Sequence, residues 1–143
     1  MVDSHCHLAG PEFTEDLSQV IERARTAGVA HALVILAGDD EPEIEQGRKV
    51  AVGWDAVRFS VGIHPHAAGR FAADPTAAAR AVDAVADGQP LTRALGEIGL
   101  DYHYDFAPRD VQNDEGAAKA LACRAQSCAP VSLSRQPLTL VTL

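Results

Sequence analysis

The chain has 143 residues, 47% of them hydrophobic and 22% charged, the make-up of one ordinary globular domain. A formal net charge of -8 repels nucleic-acid phosphates at long range and argues against a DNA-coating protein, though not against an enzyme whose bound cation supplies local positive charge. No apolar run suffices to cross a membrane, the N-terminus does not read as a signal peptide, and Cys6, Cys123 and Cys128 form no disulfide framework, which together fit a reducing, cytoplasmic setting.

The opening "MVDSHCHL" reads as a short strand ending in polar groups. Side chains alternate faces along a strand, so His5 and His7 point one way and Cys6 the other. Two imidazoles converging from one strand can hold a metal ion, but the spacing alone fits surface histidines equally well. In "TEDLSQVIERARTAGV", Leu17, Val20, Ile21, Ala24 and Ala27 recur at helical spacing, with Thr14 as the expected N-cap and Gly28 as the stop. "AHALVILAG" is continuously apolar, as in a strand buried on both faces. "DEPEIEQGRKVAVG" predicts a weaker helix, and "AVRFSVGIHPH" a third strand ending in histidines. "DPTAAARAVDAVADG" predicts a helix capped by Asp74 with Pro75 at its first position. "LTRALGEIGLDYHYD" contains a fourth strand. This alternation predicts parallel βα units.

The polar residues then gather at strand ends: His5 and His7 after the first, His64 and His66 after the third, Glu97 and Asp101 after the fourth. In parallel α/β folds the site forms at the carboxyl ends of the strands. Three strands delivering ligand-type residues to one edge point to a metal site more strongly than any one motif. Mixed imidazole and carboxylate donors suit zinc, manganese or cobalt, with magnesium less favoured. Taken singly, Glu97 reads as a strand-end salt-bridge partner.

The segments "DSHCHL" (Asp3 to Leu8), "GIHPH" (Gly62 to His66), "GEIGLDYH" (Gly96 to His103) and "APRDVQ" (Ala107 to Gln112) resemble, in order and spacing, the TatD family of metal-dependent deoxyribonucleases. Ala9 departs from the acidic or amide residue usual there. The resemblance covers about residues 1–112 and implies the N-terminal half of a (β/α)8 TIM-type barrel with four βα units, leaving residues 113–143 as a divergent tail. It further implies that His5 and His7 ligate a first metal and that Glu97 bridges two ions. His64 would line the site, close to Asp101 and Tyr102, while His66 and His103 would be rim or packing residues. The implied cofactor is one or two divalent ions (zinc, manganese or magnesium). The implied activity is hydrolysis of DNA phosphodiester bonds by a metal-activated water, with DNA as a transient partner.

Two other functions stay open: a non-catalytic remnant holding at most one metal, and an amide or ester hydrolase of the same barrel group, such as an aminoacyl-tRNA deacylase. The family's next strand carries a ligand histidine after a Pro-Val motif. Here Pro130-Val131-Ser132-Leu133 is followed by Ser134 and Arg135, and no histidine follows His103. A truncated or frameshifted tail is the expectation. Exposed half-barrel edges could pair two copies, and the closing "LTLVTL" could instead add a strand at an edge.

Overall fold

The uncharged run Ala32–Ala37 sets the frame of the fold. In the computed structural model, which describes residues 1–113 and 139–142, it forms most of β2 (His31–Ala37) and is largely buried. On one side β2 pairs with β1 (Val2–Cys6), and on the other with β3 (Val57–Gly62). The sheet continues through β4 (Thr92–Ile98) to β5 (Thr139–Thr142), in the order β1-β2-β3-β4-β5, every neighbouring pair parallel. Parallel neighbours need crossovers, and the expected helices supply them. These are α1 (Leu17–Thr26), α2 (Glu41–Gly53) and α3 (Pro75–Gly88), with a short α4 (Arg109–Asn113) after β4. The parallel βα architecture read from the sequence is therefore present. β5 lies within "LTLVTL" and occupies the edge beside β4. The Pro130–Leu133 segment, Cys123 and Cys128 lie outside the described residues.

Alternation sorts the strands' side chains. Ala32, Val34 and Leu36 of β2 share one core with Val57, Phe59 and Val61 of β3, packed with Ile21, Val50, Trp54 and Val82 from the helical layer. Each aliphatic or aromatic side chain so buried contributes about 1.5–3 kcal/mol. The intervening Ser60 is also fully buried, and its hydroxyl donates to the Gly96 carbonyl at 2.8 Å, tying β3 to β4.

The helix boundaries follow local chemistry, with one correction. Asp40 accepts from the Glu43 amide at 3.1 Å and Asp74 from the Ala77 amide at 3.2 Å, each with proline in the first turn that follows. Gly28 follows α1 with φ +86°, a conformation that favours glycine. Thr14, however, closes a short 3-10 turn over Pro11–Phe13, and the residue preceding α1 is Asp16. Its carboxylate turns to Arg23 at 3.3 Å instead of capping an amide. Pro11 favours that extra turn, which delays the helix past the threonine.

Candidate metal centre at the strand ends

His5 lies on β1, and His7 follows directly after it. Their period-2 spacing puts both rings on one side, with the Nε2 atoms 3.2 Å apart. Cys6 faces the other way, half-buried, its thiol 3.7 Å from the Leu33 carbonyl. Burial pushes that thiol above its ordinary pKa. From β4 comes Glu97, buried, with Oε1 3.9 Å from His5 Nε2 and Oε2 4.0 Å from His64 Nε2. One donor atom each from His5, His7 and Glu97 lies within 4.8 Å of the others. Two imidazoles and a carboxylate converging on one point can all accept a single divalent cation, and two facing Nε2 atoms at contact distance suit a shared cation. The donor set therefore fits the group that the sequence implied.

The backbone behind Glu97 explains its placement. A Cβ at Gly62 would lie 2.5 Å from the Glu97 carbonyl oxygen, so only glycine lets β3 and β4 approach this closely. Gly96 itself has φ +149°. The "GE" of "GEIGLDYH" and the glycine of "GIHPH" are thus a matched pair.

His64 stands beyond β3 and caps the 3-10 segment Pro65–Phe71. Its Nδ1 accepts from the His66 amide at 3.1 Å, so the neutral ring carries its proton on Nε2, on the side of Glu97. Burial, followed by the neighbouring His66, pushes this imidazole below its ordinary value, while Glu97 and Asp101 oppose the shift. The ring is neutral at pH 7 and can offer one N–H.

A cavity of about 200 Å³ opens here, walled by His7, Glu43, His64 and Glu97 over Ile35 and Leu36. A family model described as TatD related DNase matches residues 2–126. The chain belongs to the TatD family. It is 32% identical over 114 residues to the Bacillus subtilis uncharacterized metal-dependent hydrolase YabD, covering 80% of this chain and 42% of that protein. It is also 32% identical over 133 residues to the Klebsiella pneumoniae 3'-5' ssDNA/RNA exonuclease TatD, covering 93% and 48%. The chain thus spans about half the length of the curated relatives it matches. In fold it resembles a hydrolase TatD family protein from Entamoeba histolytica, with TM-score 0.71 and 16% identity over 88% of this chain and 46% of that one.

Of the TatD-type residues singled out in the sequence, His7, His64 and Glu97 line this cavity, and His5 joins them through its contacts with His7 and Glu97. Asp101 does not end a strand. β4 stops at Ile98, and Asp101 sits in the following loop, its Oδ2 2.6 Å from His66 Nε2 and its Oδ1 accepting from the His103 and Tyr104 amides. The His66 hydrogen bond, then the amide of His103, hold its carboxyl below the ordinary range. His66 is thus an anchor for this loop. Tyr102 is exposed, with the Arg109 guanidinium 4.8 Å from its ring centre.

Glu43 was not foreseen. It lies in the first turn of α2, and its Oε1 accepts from the Ala37 amide at 3.2 Å, which turns it back over the end of β2. Burial raises its carboxyl above the ordinary value against that hydrogen bond. The sequence signal was available in outline: an acid three residues after the capping Asp40 is placed to reach back toward the strand end.

Proposed function

We propose that this chain carries the metal centre and phosphate-facing wall of a metal-dependent hydrolase that cleaves nucleic-acid phosphodiester bonds. The observation that carries this reading is the convergence of His5, His7 and Glu97 within 4.8 Å at the carboxyl edge of a parallel sheet. A divalent ion held by these three groups would supply Lewis acidity toward water and offset charge building on the phosphate. Three protein ligands suffice for a catalytic site of this kind.

The chain's own residues take the remaining parts. Glu97 is fixed by the β3–β4 backbone and presents its two oxygens to His5 and His64. His64, neutral, has an Nε2–H that can donate to a non-bridging phosphate oxygen. The net charge of -8 makes a bound cation the means by which an anionic substrate is tolerated. The exonuclease name of the Klebsiella relative supports single-stranded DNA or RNA as the substrate class. All the groups invoked lie within residues 1–112, which we assign as the unit carrying the site, apart from the 113–143 tail.

The test is metal content by mass spectrometry on the purified chain, with cleavage of end-labelled single-stranded DNA in manganese. Wild type should retain about one ion per chain or more, and its cleavage should vanish with chelator and in Glu97→Gln. Retained metal without cleavage would favour the non-catalytic metal-binding alternative. Unchanged metal content in both His5→Ala and Glu97→Gln would overturn the site.

A further inference from the structure

The loop joining β4 to α4 holds a feature that the metal centre does not use. The chain has seven Phe, Trp and Tyr residues. Trp54 and Phe59 are buried, and Phe13 and Phe71 pack partly against the core. The other three, Tyr102, Tyr104 and Phe106, alternate along this one loop and are 41%, 51% and 64% exposed. Rings on a soluble domain bury themselves unless something else takes their faces.

These rings are ordered against one another. Tyr104 and Phe106 lie with centroids 5.3 Å apart and planes inclined by 36°, and the His66 ring packs on Phe106 at 4.6 Å and edge-on to Tyr104 at 5.5 Å. His66 is fixed in turn by Asp101 at 2.6 Å, and Asp101 by Gln112, whose side-chain oxygen accepts from the Asp101 amide at 2.8 Å. The His66 ring also meets His64 at 4.3 Å, and His64 faces Glu97. Ring by ring, the cluster runs from His64, which faces Glu97, to the exposed face of Phe106. The Arg109 guanidinium over Tyr102 places a cation beside it, in a chain otherwise dominated by acids.

We infer that Tyr104 and Phe106, backed by His66, form a stacking shelf for an unpaired nucleobase of a strand whose phosphate lies at the His5–His7–Glu97 cluster. This inference rests on the nucleic-acid reading above and adds to it the subsite that recognises the base. Every base has a π-face, so a shelf of this kind accepts single strands without sequence preference, and a base held in a duplex stack cannot reach it. Protein partners would bury the same rings without needing their π-faces, and this difference decides the test.

The test uses the full 143-residue chain and a short fluorescein-labelled oligothymidylate, beside an abasic strand of equal length. Binding is read by anisotropy with calcium in place of a catalytic metal. Wild type should bind the base-bearing strand about tenfold more tightly than the abasic one. Tyr104→Ala/Phe106→Ala should lose that difference, Phe106→Tyr should keep it, and Phe106→Leu, apolar but not aromatic, should lose most of it. Cleavage of the abasic strand with manganese, at diesters that carry no base or other ring to stack, should be equal in wild type and the double variant.

Equal wild-type binding of the two strands overturns the shelf, as does wild-type-like discrimination by Phe106→Leu, which would mark the patch as an apolar protein-binding surface. If cleavage of the abasic strand persists in either case, the nuclease reading stands without the shelf. If base-dependent binding holds but neither the abasic strand nor base-bearing DNA is cleaved, the shelf stands and the hydrolase reading falls.

Discussion

At the scale of single residues, the two acids near the site have separate duties. Glu97 faces histidines that can accept a cation, whereas Asp101 is committed to His66 and to two amides of its own loop. A carboxyl held below its ordinary 3.8 stabilises the fold while ionised. That contribution is complete above the ordinary value and is lost as pH falls through the lowered one. Thermal unfolding between about pH 7 and pH 3 should therefore fall more steeply for wild type than for Asp101→Asn below about pH 4. Parallel curves would show that the His66–Asp101 contact carries no stability. Cys6→Ser makes the complementary case. The thiol packs away from the two histidines, so the variant should lose about 1 kcal/mol in denaturant titration and keep its metal content unchanged. Loss of metal in this variant would contradict the alternation that places His5 and His7 together.

At the scale of elements, the approach of β3 to β4 governs the site. Gly62→Ala would set a methyl 2.5 Å from the Glu97 carbonyl oxygen and must drive the strands apart. Metal content should fall although no ligand has been altered, and a protein that retains its metal would show that the strand ends can relax. Asp40→Ala should cost about 1 kcal/mol by removing the α2 cap, measured by chemical denaturation. The sequence was legible where one local rule acts alone. The apolar run of β2 announced a doubly buried strand, Asp74 and Pro75 announced α3, and the period-2 histidines announced their shared face. It was less legible where a side chain chooses among distant partners. Asp101 was expected at the end of the fourth strand, close to the site but without a role; its partner His66 lies 35 residues away in sequence and holds it in the loop through a fold-level contact. Glu43 was hidden because α2 is only weakly patterned and the acid reads as an ordinary first-turn charge. The aromatic cluster escaped because spacing shows that Tyr102, Tyr104 and Phe106 alternate, but not that all three stay exposed.

For the whole molecule, stability and site geometry draw on the same packed layer. Phe59 is fully buried at the centre of the core, and Phe59→Ala should cost about 3–5 kcal/mol, a large share of a domain's usual margin. Urea titration would measure it, and a loss below about 1 kcal/mol would mean that the core reseals around the gap. A last consequence belongs to the sheet as a body. His5 and Glu97 sit on the first and fourth strands, which at ordinary spacing stand about 14 Å apart along a flat sheet. Their side chains nonetheless come to 3.9 Å. Side chains stand roughly perpendicular to a flat sheet and would keep most of that separation, so the short distance is a chord across strands that curl toward one another. The histidine–carboxylate gap is thus a gauge of curvature, and whatever flattens the sheet will open it without touching a ligand.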